Sequence, residues 1–381
     1  MTVENLMTNK YYEKEFNLNQ ELIHVNHAAV APWPIRTQKA VTEFASENAY
    51  QGSLNYLQWI EQESKLREQL RSLINANSTD EIALLKSTSE ALSVVAYGID
   101  WQAGDSVITS YEEFPSNRLL WESLKKFGVD VRIIEYEADE DAEQAIINAT
   151  DKTTRLISVS AVQFASGRRM DLKRIGQHCE DNNILFCVDA IQQIGALSFD
   201  VKAIKADFVA ADGHKWMLGA EGLALFYCKH KHLESLMLNQ YGWHMIENPH
   251  DFSTTEWSPA HSAKRFECGS PNMLGIMALH ASLSLIHEIG IDIIERQILD
   301  NTRYLIEQLS KQDNIIILSP REEIQQSGIV VFKHSTISVE ALFEKLNNNN
   351  VFCAMRGGGI RLSPHFYTPR EKLQQLLTLI I

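Results

Sequence analysis

The sequence lacks several features that mark particular classes of protein. Its five cysteines are scattered without a C-x-x-C pair, so neither a disulfide framework nor a zinc site is expected. The formal net charge is −14, and no cluster of Lys and Arg offsets it, which disfavours nucleic acid as a partner. The N-terminus lacks the apolar core of a signal peptide, and no apolar run approaches membrane length. We therefore expect a cytoplasmic protein without a metal site or a membrane contact.

The pattern that is present is typical of an α/β fold. The chain has 381 residues, of which 45% are hydrophobic and 22% charged, as in folded proteins of about two domains. Between Ser78 and Tyr227, helical patterns alternate with short apolar runs, which indicates βαβ units. The runs are Ser106–Thr109, Val131–Ile134, Leu156–Val159, Leu185–Val188 and Phe208–Ala210. Such strands pair in parallel inside a sheet covered by helices, with ligands at the strands' carboxyl ends.

The C-terminal third has a different pattern. It contains a long amphipathic helical pattern over 276–309 with a break at Gly290, apolar runs at Ile315–Leu318 and Gly328–Phe332, and a helical pattern near Ser338–Asn347. The change of pattern near residue 260 predicts a large domain over 20–260 and a smaller α+β domain over 261–381. We expect residues 1–19 to pack on the smaller domain.

Two charged residues follow neighbouring strands of the predicted sheet. Asp189 ends the run LFCVD, and Lys215 follows the next run, 26 residues later. Asp189 could equally form a capping box with Gln192, and a single lysine is usually a solvated charge. Together, however, a carboxylate and an amine at one sheet edge can face a planar heterocycle from two sides. Pyridoxal 5'-phosphate needs this pair, because the amine forms a Schiff base and the carboxylate keeps the ring nitrogen protonated.

The segments VDAIQ and DGHKW around these residues resemble the core of class V aminotransferases and their cysteine desulfurase relatives. The resemblance spans most of the chain and implies a pyridoxal phosphate-dependent transferase of fold type I. It implies that Lys215 carries the cofactor, that Asp189 pairs with the pyridine nitrogen and that Gln192 bonds the phenolic oxygen. It also places His214 beside the phosphate.

Further cofactor contacts are expected from three other segments. In LKSTSEAL, Thr88 and Ser89 begin a helix, which is either a simple N-cap or a phosphate site, and the resemblance implies the phosphate site. Phe114 stands where related desulfurases carry a histidine stacked on the ring, and its flat apolar face suits the same position. Gln163 is expected to contact the phenolic oxygen or the substrate, although a shift of one residue would put Phe164 there.

The segment RFECGSPN places Ser270 where the family has a threonine that reaches the partner subunit's phosphate. This implies a homodimer with composite active sites, while the alternative is a turn with a capping serine.

The substrate is expected to be an amino acid. In FCAMRGGGIRLS, the resemblance makes Arg361 the residue that binds the substrate carboxylate, with Arg356 assisting or replacing it. The planar guanidinium suits bidentate capture of a carboxylate. At the other end of the chain, HVNHAAVAP resembles a segment that lines the entrance of the site, so Asn26 and His27 are candidates for substrate contact. A loop packed under the sheet would explain the same two residues.

The reaction type depends on residues that this sequence lacks. Desulfurases carry a reactive cysteine on a loop shortly before the carboxylate-binding arginine, but only Gly357–Ile360 lies between Arg356 and Arg361. Cys353 lies in an alternating apolar run that predicts a strand. With Phe114 in place of histidine, the pattern favours the aminotransferase and isopenicillin N epimerase-like branch. A cysteine desulfurase or C–S lyase, an epimerase, and a non-catalytic binding protein with this fold are the alternatives.

Overall fold

The computed structural model describes residues 12–137, 140–251, 253 and 255–381. The strands of this part of the chain are β1 (Ile23–His24), β2 (Ile82–Leu85), β3 (Ser106–Ser110), β4 (Asp130–Ile134), β5 (Thr154–Ser160), β6 (Leu185–Asp189), β7 (Phe208–Asp212), β8 (Ala224–Cys228), β9 (Ile315–Ile317), β10 (Val330–His334), β11 (Val351–Phe352), β12 (Ala354–Arg356) and β13 (Gly359–Leu362). The α-helices are α1 (Ile35–Gln51), α2 (Tyr56–Leu73), α3 (Thr88–Gly98), α4 (Leu119–Glu122), α5 (Ala142–Asn148), α6 (Leu172–Asn182), α7 (Met273–Ile289), α8 (Ile291–Ser310), α9 (Val339–Asn348) and α10 (Arg370–Ile380).

A seven-stranded sheet with the order β2-β8-β7-β6-β5-β3-β4 forms the centre of the molecule. The neighbours from β4 to β7 are parallel, whereas β8 runs antiparallel to both β7 and β2. The predicted α/β fold with a mostly parallel sheet is thus confirmed. All five predicted strands of this region are present and extend one or two residues beyond the predicted ends. The added residues include the two carboxylates at the ends of β6 and β7.

The strands β6, β7 and β8 are apolar apart from the carboxylates that end β6 and β7, because helices cover both faces of the sheet. In β6, Phe186 and Val188 belong to the apolar cluster that includes residues of α2 and α7, whereas Cys187 faces the cluster that includes residues of α3. All three side chains are fully buried. A strand of this kind cannot place a carboxylate in its middle without desolvating it. The polar residues therefore collect at the strand ends, where the site lies.

Local capping fixes the helices that border the sheet edge. The hydroxyl of Ser87 accepts a hydrogen bond from the Glu90 amide at 3.2 Å, so α3 begins directly after the end of β2. The Asn272 side chain caps α7 in the same way, accepting from the Gly275 amide at 3.0 Å. The helix α7 ends at Gly290, whose φ of +88° suits glycine, which confirms the predicted break.

A second, four-stranded antiparallel sheet has the order β12-β13-β10-β9. Its apolar side chains, such as Phe332, share a buried cluster with Leu342 of α9 and Leu373 of α10. Ile23 and Val25 from the N-terminal segment belong to the same cluster, and β1 pairs in parallel with β11. The second sheet carries Arg356 and Arg361 on β12 and β13 and brings them to the carboxyl edge of the central sheet.

The predicted division into domains at residue 260 stays a prediction. The packing favours a later division, because α7 lies against α1 and α2 of the first half of the chain. We therefore propose a division at Gly290. Of the N-terminal segment expected on the smaller domain, residues 1–11 lie outside the described part. Tyr12 and Phe16 both contact the ring of Phe366.

In the part of the chain that the structure describes, no single helix has the length and apolar character needed to cross a membrane. The pair α7 and α8 meets those two criteria only when taken together, and its members meet at an angle of 85°.

Candidate active site

A cavity of about 260 Å³ lies at the carboxyl edge of the central sheet, beyond the ends of β6 and β7. Eight residues singled out from the sequence line it: Thr88, Phe114, Asp189, Gln192, His214, Lys215, Arg356 and Arg361. The remaining lining residues are Ala28, Ala29, Ser116, Phe164, Ile191 and Asp212. Asp212 was missed although it ends the run ADFVAAD, in the same position that drew attention to Asp189.

Lys215 lies on the turn after β7, with its amine in the cavity wall. Its Nζ is 5.7 Å from the centroid of the Phe114 ring. Burial lowers the pKa of this ammonium group, and the nearby charge of Asp189 opposes that effect. A lysine with a lowered pKa has a larger fraction of free amine at neutral pH, which is the form that attacks a carbonyl carbon.

Asp189 ends β6 and is only 2% exposed. Its Oδ1 accepts a hydrogen bond from the Ile191 amide at 3.1 Å. Burial raises the pKa of this carboxyl group, and the nearby carboxyl of Glu113 adds to the effect. A buried carboxylate of this kind is stabilised by a cationic N–H group placed against it. Its position fits the expected partner of a protonated pyridine nitrogen.

The start of α3 is tied to the end of β7 by two reciprocal hydrogen bonds. The Thr88 amide donates to Asp212 Oδ2 at 2.9 Å, and the Asp212 amide donates to Thr88 Oγ1 at 3.0 Å. The Thr88 hydroxyl therefore keeps its own hydrogen for a ligand. Ser89 donates to Ser116 Oγ at 2.8 Å, and Ser116, not Ser89, lines the cavity. Nδ1 of His214 is buried and has no hydrogen-bond partner among the described residues, with Asp212 Oδ1 3.8 Å away.

The two glutamines expected near the ring lie in different surroundings. Gln192 lines the cavity, donates to the Ala28 carbonyl at 3.0 Å and accepts from the Trp216 indole at 2.9 Å, which leaves it one N–H for a ligand. Gln163 is fully buried behind the wall, where its amide donates to Glu113 at 2.9 Å. Phe164, the alternative considered for this position, lines the cavity instead.

Phe114 and Phe164 form an aromatic corner of the cavity. Their ring centroids are 5.1 Å apart and their planes meet at 84°, an edge-to-face arrangement. Phe114 is 41% exposed and lines the cavity. An exposed flat ring near the amine of Lys215 suits the cover of a planar cofactor ring and offers no acid or base.

Arg361 is a buried cation, and no anion among the described residues lies within ion-pair distance of it. Its side chain is on β13 and only 3% exposed. Nη1 donates to the Phe164 carbonyl at 2.9 Å and Nη2 to Asn26 Oδ1 at 3.4 Å, while Nε has no hydrogen-bond partner. Burial lowers the pKa of this guanidinium, and the charge of Arg356 adds to the effect. A buried, unpaired cation is costly, so a ligand carboxylate would stabilise it.

The other predicted substrate residues differ in their access to the cavity. Arg356 is exposed and lines it. Asn26 lies behind Arg361 and orients it. His27 is fully buried, bonded to the Ser363 carbonyl at 2.9 Å and to the Tyr367 hydroxyl at 2.6 Å, and it does not reach the wall. The small side chains of Ala28 and Ala29 form that part of the wall.

Ser270 lies away from this cavity. It is exposed and lines a separate cavity of about 200 Å³, together with Lys86, Gly222 and Asn272. Within one chain it is therefore not part of the site around Lys215. Its expected contact with a partner subunit stays a prediction.

A family model described as "Aminotransferase class-V" matches residues 24–376. The chain belongs to the class-V aminotransferase family. A relative described as a "probable cysteine desulfurase" from Methanothermobacter thermautotrophicus is 34% identical over 95% of both chains. An uncharacterized aminotransferase of Bacillus subtilis is 27% identical over 89% of this chain and 88% of its own. The family membership makes the protein an enzyme that depends on pyridoxal phosphate.

Solved structures confirm the fold. The apo structure of a cysteine desulfurase from Thermococcus onnurineus NA1 has a TM-score of 0.87 at 24% identity and covers 97% of this chain and 96% of its own. A cystine C-S lyase in complex with cysteine persulfide also has a TM-score of 0.87, at 23% identity, and covers 94% of this chain and 97% of its own. Both are similar to this chain in fold.

The residues of the cavity fit the cofactor of the family. Asp189 offers a buried carboxylate for a cationic ring nitrogen, and Phe114 offers a flat face for the ring. The first turn of α3 and the unpartnered Nδ1 of His214 offer donors for a phosphate. Lys215 lines the same cavity as these groups.

Proposed function

We propose that this enzyme is an aminotransferase that acts on an amino acid held by Arg361 next to Lys215. The observation that carries the proposal is the composition of the cavity wall. It combines a lysine whose pKa is lowered with a buried, unpaired arginine, and none of its described residues is a cysteine. Transamination needs a carboxylate site and one base that moves a proton at the substrate's α-carbon. It needs no thiol.

The bound cofactor supplies an electron sink for the bond that breaks at the α-carbon. Asp189 would hold the ring nitrogen, the start of α3 the phosphate, and Phe114 one face of the ring. Arg361 binds the substrate carboxylate and so fixes the position of the α-carbon. Lys215, once its amine is free, takes the proton from that carbon and returns it to a neighbouring atom. The lowered pKa of Lys215 favours the neutral amine that this step requires.

A C–S lyase is the second candidate, favoured by the relatives described as cysteine desulfurases and by the fold neighbour described as a cystine C-S lyase. A persulfide on an enzyme cysteine is not supported. Cys353 is buried, and desolvation raises the pKa of its thiol to about 12, which suppresses the reactive thiolate. Cys268 is partly exposed but lines the separate cavity that contains Ser270. Within one chain, a lyase would therefore release sulfur without an enzyme thiol.

We also propose a homodimer in which Ser270 completes the partner's site. Its exposed position away from Lys215 supports this assignment. Mixing of two inactive variants tests it, because a dimer of one Lys215→Ala and one Ser270→Ala subunit would contain one intact site. Regained activity after mixing is expected. If the two variants exchange subunits but the mixture stays inactive, the active sites are not composite.

The reaction types are separated by product stoichiometry. Without an acceptor 2-oxo acid, an aminotransferase forms one 2-oxo acid per site and retains the amino group, so no ammonia appears. A lyase forms 2-oxo acid, ammonia and sulfide or persulfide over many turnovers, and an epimerase forms only the mirror-image amino acid. We expect the first outcome with an amino acid panel, and Lys215→Ala is the inactive control. Continuous release of ammonia and sulfur from cysteine or cystine would overturn the proposal in favour of the lyase.

A further inference from the structure

A second and larger cavity, of about 830 Å³, adjoins the one that contains Lys215. The two cavities share Phe164 in their linings. Residues that are neighbours in sequence also divide between the two linings. Phe114, Ser116 and Arg356 line the smaller cavity, whereas Pro115 and Gly357 line the larger one. The larger cavity therefore begins at the aromatic corner, on the side away from the amine.

Three arginines line the larger cavity: Arg118, Arg168 and Arg321. Its two acidic residues are already engaged by neighbours. Glu112 accepts a hydrogen bond from the Tyr136 hydroxyl at 3.1 Å. Glu113 is buried and accepts from Asn117, Gln163 and both the amide and the hydroxyl of Ser160. The arginines thus outnumber the acidic residues, and both oxygens of Glu113 and one oxygen of Glu112 accept from internal donors.

The arginines also differ in their freedom to meet a ligand. Arg168 is buried, and its guanidinium lies 5.7 Å from the centroid of the Tyr136 ring. Arg118 has only a loose ion pair, 3.7 Å from Glu122. Arg321 is exposed on the loop after β9, at the rim of the cavity. Two of the three positive charges are therefore available without breaking a short ion pair.

The position of Phe164 connects this cavity with the carboxylate site. Its carbonyl accepts from Arg361 at 2.9 Å, and its ring borders both cavities. Gly357 comes close to the same segment, since a Cβ there would lie 2.6 Å from the Ala165 carbonyl oxygen. A substrate whose carboxylate is bound by Arg361 therefore lies next to Phe164, and a long side chain can pass that ring into the larger cavity.

We propose that the larger cavity is the distal substrate site and that it takes an amino acid side chain ending in a carboxylate. Arg118 and Arg321 can recognise such an oxyanion by charge-assisted hydrogen bonds, and the positive charge of the buried Arg168 adds to the attraction. The rings of Tyr111 and Tyr136 in the same wall cover the apolar part of an extended chain. This inference rests on the proposed function, because it assumes that Arg361 binds the α-carboxylate.

The test uses 2-amino dicarboxylic acids of increasing length, beginning with glutamate, each compared with its ω-amide. In the holoenzyme, Arg321→Gln is expected to raise KM for the preferred dicarboxylic acid about tenfold, which is the effect of one charge-assisted hydrogen bond. The KM for the matching amide and both kcat values should stay unchanged. Arg118→Gln tests the second arginine, and Arg303→Gln, an exposed arginine of α8, is the control. Equal KM values for acid and amide in the wild type would overturn the inference.

Calorimetric binding of glutarate and of its monoamide separates this inference from the proposed function. In one outcome, no amino acid yields a 2-oxo acid, but glutarate binds more tightly than its monoamide and Arg321→Gln removes this difference in affinity. The distal site is then supported and the aminotransferase proposal fails. If 2-oxo acids form without preference for dicarboxylic substrates and glutarate binds no better than its monoamide, the distal site fails and the proposed function stands. Thermal unfolding of each variant confirms that it is folded.

Discussion

Thr88 and Asp212 are joined by two reciprocal hydrogen bonds, each from the backbone amide of one residue to the side chain of the other, at 2.9 and 3.0 Å. The pair ties the first turn of α3 to the end of β7, three residues before Lys215. The start of α3, which we propose holds the phosphate, and the turn that carries Lys215 are therefore set relative to each other by one buried contact between protein groups.

Asp212→Ala should destabilise the protein even without cofactor. The substitution leaves the buried Thr88 amide without its acceptor, which costs about 1 to 3 kcal/mol of unfolding free energy. Denaturant titration of the apoprotein measures it. Asp212→Asn keeps an acceptor oxygen and should cost less, and Asp313→Ala at an exposed position is the control. Equal losses for the alanine and asparagine variants would show that this contact does not hold α3.

Arg361→Gln should weaken substrate binding without weakening the fold. The loss of a charge-assisted contact with the carboxylate raises KM about tenfold to a hundredfold. The free energy of unfolding should not fall, because the variant removes a buried cation that lacks an anion, and glutamine can still donate to the Phe164 carbonyl. Steady-state kinetics and denaturant titration measure the two effects. Arg356→Gln, at an exposed position, should have the smaller effect on KM, and the reverse order would contradict the assignment.

That Asp189 and Lys215 lie at one edge of the sheet was predictable from sequence, because the signal is local. Asp189 and Lys215 each follow an apolar run, and the ends of parallel strands meet at one sheet edge. The placement of Gln163 and Phe164 was not predictable, since these neighbours point in opposite directions in a loop without periodicity. The contact that decides between them is the hydrogen bond from Gln163 to Glu113, 50 residues earlier in the chain.

The fold was predictable to a similar degree. The strand runs and the break at Gly290 followed from apolar periodicity and one glycine, and the structure confirms both. The sequence carried no signal for the antiparallel direction of β8. The direction of a strand depends on the path of the connection that leads into it and not on the residues of the strand itself. The sequence also carried no signal that Ile23 and Val25 belong to the core of the second sheet, since this depends on contacts with residues more than 300 positions away.

Acid should destabilise the protein through two buried histidines, His27 and His365, and one half-buried histidine, His24. His27 accepts from the Tyr367 hydroxyl and donates to the Ser363 carbonyl, while His365 accepts from the Phe366 amide and donates to the Trp216 carbonyl, so both are fixed as neutral rings. Burial lowers the pKa of His24 to about 4 and of His365 to about 3, and it lowers the pKa of His27 as well.

The direction of the pH effect follows from these lowered pKa values. Below pH 6.5 the unfolded chain binds protons that the folded protein excludes, so stability is full above pH 6.5 and falls as the pH drops toward 4. His24 alone should contribute a loss of about 2 kcal/mol at pH 5. Denaturant titration from pH 8 to pH 5 measures the slope. His24→Phe should reduce the dependence of the unfolding free energy on pH. An unchanged slope in this variant would show that His24 does not contribute to the loss of stability in acid.

Gly357 and Gly358 offer a matched pair for testing the wall between the two cavities. Both have positive φ, +58° and +74°, so alanine at either position has the same backbone cost of about 1 to 2 kcal/mol. At Gly358 a Cβ would meet no atom within 4 Å, whereas at Gly357 it would lie 2.6 Å from the Ala165 carbonyl oxygen. Gly357→Ala must therefore push β12 and β13 away from the segment that contains Phe164.

The two alanine variants should separate clearly in both stability and kinetics. Gly357→Ala is expected to lose about 1 to 3 kcal/mol more unfolding free energy than Gly358→Ala, as forced overpacking does. It should also raise KM, because Arg361 on β13 moves relative to Phe164, to which it is bonded. Gly358→Ala should leave KM near the wild-type value. If both variants behave alike in denaturant titration and kinetics, the contact between Gly357 and Ala165 does not set the distance between the two halves of the site.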